Sequence, residues 1–200
     1  MSIIVVRHGE TALNAARVVQ PANTPLNERG VRQAGLVAPR LGKLEPVHIL
    51  CSDLERTRMT AEPLERLTGL RVEYSPLLQE RNFGDIRGRP YAELGEEIFR
   101  DDYAPPNGET WDVFHARIDR AWAMVVKRRA EVAGNLIVVT HGLVCRSLVE
   151  RHLQRTDGDG PLRWLNTSVT VADADAPHHV RVLNDTEHLD GEVDHDGAAV

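Results

Sequence analysis

Three short runs of apolar residues stand out along the chain, and each ends abruptly in polar residues. They cover residues 3–6, 48–51 and 136–140, and they consist mostly of valine, isoleucine and leucine. Apolar runs of about four to eight residues without polar alternation are typical of strands that are buried on both faces. The pattern therefore predicts three core strands of a parallel sheet.

Apolar residues spaced by three and four predict helices between and after these strands. The predicted helices cover residues 28–41, 54–67 and 111–132, with Asn27 and Asp53 as N-caps of the first two. We expect the buried faces to consist of these residues: Val31, Ala34, Leu36, Ala38 and Leu41 in the first helix, and Phe114, Ile118, Ala121, Trp122 and Val125 in the third.

Helices that alternate with buried strands indicate an α/β fold, a three-layer structure with a mostly parallel central sheet and helices on both faces. We expect one domain over residues 1–189, in which segment 80–109 is an insertion that shapes the pocket and carries a short helix near residues 91–100. Residues 168–171 and 180–183 favour a final hairpin. The acidic tail at 190–200 is expected to be loosely held.

Composition narrows the range of functions. The 200-residue chain is 42% hydrophobic and 27% charged, and its net charge of −6 argues against a nucleic-acid partner. A small anionic substrate needs only a few local cations and stays possible. We expect no membrane span and no targeting leader, and therefore a cytoplasmic protein. Cys51 and Cys145 lie in apolar contexts and are interpreted as buried thiols.

Polar residues follow each predicted strand. The three strand ends carry these sequences: Arg7-His8-Gly9, Cys51-Ser52 and Thr140-His141-Gly142. In an open parallel sheet, ligands bind just beyond the carboxyl ends of the strands. A single histidine there is more often structural, but His8 and His141 reach the same edge from distant parts of the sequence. Each precedes a glycine, which lets backbone and ligand approach closely.

Five segments extend this pattern. They are residues 7–14 (Arg-His-Gly-Glu-Thr-Ala-Leu-Asn), 25–34, 51–61 (with Arg56), 78–88 (with Glu80) and 140–142. In this order they resemble the motifs of the histidine phosphatase superfamily, in its phosphoglycerate mutase-like branch (branch 1). The resemblance extends from residue 3 to about residue 189 and implies a phosphoglycerate mutase-like fold.

The resemblance also implies roles for individual residues. His8 would attack phosphorus and become a phosphohistidine, and Glu80 would be the general acid and base, with a pKa raised by burial or by competing carboxylates. The second branch of the superfamily places an aspartate after the last histidine, where this chain has Gly142. The remaining implied residues surround the phosphoryl group: Arg7, Arg56 and His141 as catalytic groups, and Asn14, Gln20, Gly142 and Arg81 as phosphate or substrate ligands.

The implied activity is hydrolysis of a small phosphomonoester without metal or cofactor. Mutases of the family carry a longer basic insertion after the acid loop, whereas residues 90–108 are short and mixed in charge. Phosphoryl transfer of the phosphoglycerate mutase type stays an alternative, as does a catalytically weak member that binds phospho-ligands. The C-terminal histidines match no zinc spacing. Residues 21–23 (Pro-Ala-Asn) depart from the family pattern and put substrate contacts in that loop in doubt.

The identity of the substrate and the oligomeric state do not follow from the sequence. A sugar phosphate, a phosphorylated cofactor precursor such as α-ribazole phosphate, and a phosphoglycerate derivative all fit the pattern. The segment from Arg81 to Arg89, with Tyr91, Phe99 and Trp111, is expected to shape the pocket that selects among them.

Overall fold

A mixed sheet of six strands forms the centre of the protein in the computed structural model, which describes residues 1–155 and 163–189. The strand order is β3-β2-β4-β1-β5-β6. The first four strands in this order are parallel to one another, β5 is antiparallel to β1, and β6 is antiparallel to β5. The strands cover these residues: β1 Ser2–Arg7, β2 Pro46–Cys51, β3 Val72–Tyr74, β4 Asn135–Thr140, β5 Val169–Asp173 and β6 Val180–Asp185.

Helices cover both faces of the sheet, as predicted. They are α1 Ala12–Ala15, α2 Glu28–Gly42, α3 Glu55–Thr68, α4 Tyr91–Leu94, α5 Trp111–Glu131 and α6 Gly142–His152. Successive side chains of β1 point to opposite faces, so that Ile3 and Val5 pack with α5 and α6, whereas Ile4 and Val6 pack with α2 and α3. This two-sided burial explains why the strands are apolar without alternation.

The strand register brings three chain segments to one edge of the sheet. Arg7 is paired with Thr140 in the parallel β1–β4 ladder, so His8 and His141 both follow the carboxyl ends of neighbouring strands. On the other side of β1, Val6 is paired with Val169 of the antiparallel β5. Because β5 runs antiparallel to β1, β5 begins at the edge of the sheet where β1 ends. Residues 166–168, which precede β5, therefore lie at the same edge as His8 and His141.

The buried face of α2 differs from the prediction at two positions. Ala34, Ala38 and Leu41 are buried as expected, but Val31 is 50% and Leu36 is 41% exposed. At 100° per residue, Leu36 lies on the opposite side of the helix from Ala34 and Ala38, which are one turn apart. Smaller or polar residues fill the face instead: Gly30, Gln33 and Val37.

Other boundaries were partly wrong. Asp53 is not an N-cap, because α3 begins after Leu54 and the Asp53 carboxylate accepts a hydrogen bond from Gln79 at 2.7 Å. Strand β3 and helix α6 were not predicted at all. The single helix expected over 91–100 is split into α4 and the 3-10 turn Glu96–Phe99, because Gly95 adopts a φ of +67°.

Several expectations are confirmed. Helix α5 ends at Glu131, within a residue of its predicted end, and all five of its predicted core residues are buried. The final hairpin is present as β5 and β6. Both cysteines are buried as free thiols. The predicted tail at 190–200 lies outside the described residues.

Candidate active site

The edge where β1, β4 and β5 meet opens into a cleft of about 450 Å³ of empty space. We call it the phosphate cleft. Its walls come from the ends of the strands, from α3 and from segment 80–99. The lining residues are Arg7, His8, Asn14, Gln20, Arg56, Glu80, Arg81, Phe83, Tyr91, Phe99 and Leu143. Seven of the nine residues predicted for the site are in this set, and His141 lies directly beside His8, with ring centroids 5.2 Å apart.

The His8 imidazole is held in one tautomer. Its Nδ1 lies 2.7 Å from the Gly9 carbonyl oxygen, which can only accept, so Nδ1 carries the proton. Burial lowers the pKa of His8 well below its ordinary range, and the charges of Arg56 and Arg7 lower it further. The ring is therefore neutral, and its Nε2 atom has a free lone pair, as a nucleophile requires.

Contacts to the main chain fix the position of this histidine. The His8 carbonyl accepts hydrogen bonds from the Thr167 amide at 3.3 Å and from the Asn166 side chain at 3.0 Å. Helix α2 packs so closely against the next turn that a Cβ atom on Gly30 would lie 2.0 Å from the Glu10 carbonyl oxygen. Glycine is therefore required for this approach. The result is a histidine on a rigid support.

Two buried guanidinium groups supply positive charge to the cleft. Arg7 donates to the Trp164 carbonyl, and Arg56 donates to the Pro21 carbonyl at 3.2 Å. Burial lowers the pKa of both, that of Arg56 to about 10, so Arg56 stays charged at neutral pH. Pro21, in the loop that departs from the family pattern, has no N–H to donate, but its carbonyl oxygen supports the Arg56 guanidinium.

His141 is held by a serine of the neighbouring strand end. Its Nε2 lies 2.9 Å from the Ser52 hydroxyl oxygen, which also accepts from the Leu54 amide. When the Ser52 hydroxyl donates to Nε2, the proton of His141 lies on Nδ1. This buried nitrogen has no hydrogen-bond partner within the described ranges. A small adjustment would let it donate to a phosphoryl oxygen beside His8.

Glu80 is the acidic group of the cleft. Its carboxylate accepts hydrogen bonds from the amides of Arg81 at 3.0 Å and Leu143 at 3.2 Å. Burial raises the pKa of Glu80, and this effect outweighs the lowering by those amides and by Arg56 and Arg7. The raised pKa agrees with the expectation from the sequence and favours the protonated form that a general acid needs.

Two side-chain amides complete the cleft. The Asn14 oxygen accepts from the Thr11 amide at 3.3 Å and from Asn166 at 3.4 Å. The Gln20 oxygen accepts from the Thr11 hydroxyl at 2.9 Å. Both side chains line the cleft, where their NH₂ groups can donate to phosphoryl oxygens.

The other two predicted ligands lie differently. Arg81 lines the cleft, but its guanidinium donates to the carbonyls of Tyr103 at 2.8 Å and Glu109 at 3.1 Å and stacks on Trp111 at 3.9 Å. These contacts favour a structural role over the predicted phosphate contact. Gly142 is not among the lining residues, although it opens helix α6 directly after His141.

An arginine that the sequence did not single out holds the acid loop. Arg117 of α5 donates to the carbonyls of Leu77 at 2.9 Å, Gln79 at 2.7 Å and Glu80 at 3.3 Å. The same guanidinium makes two further bonds of 2.7 Å to the Glu109 carboxylate. Arg117 thus fixes the backbone that carries Glu80, without reaching the cleft itself.

Replacing Arg117 by lysine is expected to reduce kcat/KM for alkyl phosphates by about 10- to 100-fold, because a point charge cannot hold three carbonyls and a carboxylate at once. Aryl phosphates should lose much less, since they depend less on protonation by Glu80. Arg128→Lys is the matched control, because Arg128 lies on the same helix and binds Glu73 through two nitrogens at the surface. Equal losses on both substrate types would assign Arg117 a merely structural role.

Within residues 1–155 and 163–189, no three side chains of the His, Cys, Asp or Glu type converge as a metal site would require. Over the same ranges, none of the helices has the length and hydropathy of a membrane span.

Comparison with known proteins agrees with this geometry. Residues 3–186 match the histidine phosphatase superfamily (branch 1). The chain belongs to this superfamily. It is 36% identical over 205 residues to phosphoglycerate mutase-like protein 4 of Arabidopsis thaliana, with 94% of this chain and 86% of the relative covered.

Solved structures of the superfamily include phosphatases that resemble this chain. A mycobacterial glucosyl-3-phosphoglycerate phosphatase superposes with a TM-score of 0.78 at 26% identity and covers 92% of this chain and 99% of its own. The α-ribazole phosphatase of Shigella flexneri superposes with a TM-score of 0.79 at 28% identity, over 92% of this chain and 96% of its own. The phosphoglycerate mutase-like fold and the family expected from the sequence are both confirmed.

Proposed function

We propose that this histidine phosphatase superfamily member hydrolyses a small phosphomonoester through a phosphohistidine on His8, with Glu80 as general acid and base. The observation that carries the proposal is the His8 Nδ1 contact to the Gly9 carbonyl at 2.7 Å. It leaves Nε2 unprotonated in a cleft that also holds two buried arginines. A nucleophile and two cations in one cleft suit a phosphoryl group.

In the first half-reaction, the Nε2 lone pair of His8 forms a bond to phosphorus. The bond from phosphorus to the leaving oxygen breaks, and its electron pair stays on that oxygen, which takes the proton of Glu80. The products are an alcohol, a Glu80 carboxylate and a phosphohistidine. Arg7 and Arg56 balance the charge on the transferring oxygens, and loss of one such donor commonly costs about 10²–10³ in rate.

In the second half-reaction, the Glu80 carboxylate removes a proton from a water molecule that attacks phosphorus. The bond between phosphorus and Nε2 breaks, its electron pair returns to the nitrogen, and inorganic phosphate leaves. His8 and Glu80 are then restored to their starting states. Every step uses side chains of this chain, so the proposal requires neither a metal nor a cofactor.

The aromatic part of the cleft lining favours hydrolysis over mutase action. A mutase must hold the dephosphorylated acceptor next to the phosphohistidine and exclude water. Here Phe83, Tyr91 and Phe99 contribute aromatic side chains to the lining. The guanidinium of Arg81, which could hold a second anion, is instead bound to carbonyl groups of the protein. The phosphatase names of the two superposed structures support the same choice.

Product analysis distinguishes the two reactions. The two substrates are 3-phosphoglycerate and an alkyl phosphate whose alkyl group is uncharged. We expect each molecule of substrate consumed to release one inorganic phosphate. Oxygen-18 from labelled water should enter that phosphate. The His8→Ala protein is the control. Interconversion of 3-phosphoglycerate and 2-phosphoglycerate faster than phosphate release would overturn the proposal in favour of a mutase.

A further inference from the structure

A second cleft, with about 440 Å³ of empty space, lies between α5 and α6 beside the phosphate cleft. We call it the α5–α6 cleft. Its lining residues are Phe99, Asp101, Trp111, His115, Leu143, Arg146, Ser147 and Glu150. Phe99 and Leu143 also line the phosphate cleft, so the two spaces share a wall.

The position of Glu80 sets the direction of the leaving group. In the proposed reaction Glu80 protonates the leaving oxygen, so that oxygen lies against its carboxylate. This carboxylate is bound to the Leu143 amide at 3.2 Å, at the first turn of α6. Leu143 also lines the α5–α6 cleft, which therefore adjoins the position of the leaving oxygen.

The charges of this cleft do not suit a second anion. Asp101 and Glu150 contribute two carboxylates, whereas the one lining arginine, Arg146, is bound to Glu150 at 2.7 Å. Burial lowers the pKa of His115, and the charge of Arg151 lowers it further, so the imidazole is neutral near pH 7. The cleft thus carries a net negative charge.

The lining groups instead suit hydroxyl groups. Carboxylate oxygens accept hydrogen bonds from hydroxyls, and the Ser147 hydroxyl and the His115 ring can donate or accept. Arg81 lies over the Trp111 ring at 3.9 Å, and the Trp111 Nε1–H donates to the Arg100 carbonyl at 2.8 Å, so this ring forms a fixed wall. The cleft therefore combines a rigid aromatic wall with hydrogen-bonding groups of net negative charge.

We propose that the α5–α6 cleft is the leaving-group subsite and that it selects an uncharged, hydroxyl-bearing group such as a sugar or polyol over one with a second anion. The inference rests on the proposed phosphatase function and names the substrate class of that site.

Two substrates of equal length test it: sorbitol 6-phosphate, and 6-phosphogluconate, which has a carboxylate in place of the terminal CH₂OH. For the unmodified protein we expect kcat/KM to favour sorbitol 6-phosphate by about tenfold or more, the order expected when a unit charge approaches a partly exposed anion. Glu150→Gln and Asp101→Asn should each narrow this ratio by about fivefold. Ethyl phosphate, which is too short to enter the α5–α6 cleft, normalises each variant for changes in the phosphate cleft.

Glu62→Gln is the matched control, because Glu62 forms the same kind of i,i+4 pair, with Arg66 at 2.8 Å, on the exposed surface of α3. Its substrate ratio should equal that of the unmodified protein. The subsite proposal would be overturned if the two substrates had nearly equal kcat/KM values with the unmodified protein. It would also be overturned if neither Glu150→Gln nor Asp101→Asn changed the ratio of these values. If ethyl phosphate itself is not hydrolysed, the proposed function fails, and the subsite fails with it.

Discussion

Replacement of His8 by alanine is expected to lower kcat for phosphomonoester hydrolysis by about 10⁴-fold or more, as loss of a nucleophile does in other covalent mechanisms. Alanine leaves no atom that can form the bond to phosphorus. Arg7 and Arg56 would still bind the phosphoryl group, so KM should change far less than kcat. The measurement is the steady-state rate with saturating phenyl phosphate, together with the melting temperature.

His48→Ala is the control for this variant. His48 lies in β2, on the other side of β4 from β1, and its ring is bound to Glu73 at 3.0 Å, away from the phosphate cleft. This control should keep the activity of the unmodified protein. Comparable turnover by the His8→Ala protein would contradict a phosphohistidine, whatever the state of the other site residues.

Replacement of Glu80 by glutamine is expected to separate two classes of substrate. Glutamine still accepts a hydrogen bond from the Leu143 amide through its oxygen, but it cannot give a proton to a leaving alkoxide. We expect kcat/KM for ethyl phosphate to fall by about 10²- to 10⁴-fold, the range of general acid catalysis. The loss for p-nitrophenyl phosphate should be below about tenfold, because its leaving group needs no protonation.

The pH profile gives a second readout for Glu80. The acid acts in its protonated form, and burial raises the pKa of this carboxyl. For ethyl phosphate, kcat/KM should therefore decline as pH rises through that raised pKa, and this decline should be absent in Glu80→Gln. Glu93→Gln, an exposed change in segment 80–109, is the control. Equal losses on both substrates with an unchanged profile would contradict the acid role.

Much of the fold could be predicted because a strand that is buried on both faces has an apolar sequence without polar alternation. The run at residues 3–6 is apolar throughout, the run at 136–140 is apolar up to its last residue, Thr140, and both are strands. Strand β3 spans only Val72–Tyr74 and lies at an edge of the sheet with its residues partly exposed. It therefore lacks the continuous apolar run that identified the other strands. The error on α2 has a similar cause, since Leu36 is apolar but faces solvent, and a glycine and a glutamine occupy the buried face.

The site could be predicted in part, because parallel strands bring His8 and His141 to one edge. Arg56 and Glu80 were identified only through the resemblance to a family. Asn166 escaped notice because its place depends on β5 running antiparallel to β1, which the spacing of residues does not show. Arg81 and Arg117 illustrate a further limit. Arg81 follows Glu80 in its loop and Arg117 binds that loop, yet only the folded backbone shows which carbonyl groups each guanidinium binds.

The covalent intermediate is the central claim, and rapid chemical quenching with a radiolabelled phosphomonoester tests it most directly. The account predicts label on His8 within the first turnover, stable in alkali and lost in acid, and decaying at least as fast as kcat. Label should be absent from the His8→Ala protein. Release of inorganic phosphate at the normal rate with no label on His8 at any time would contradict the account.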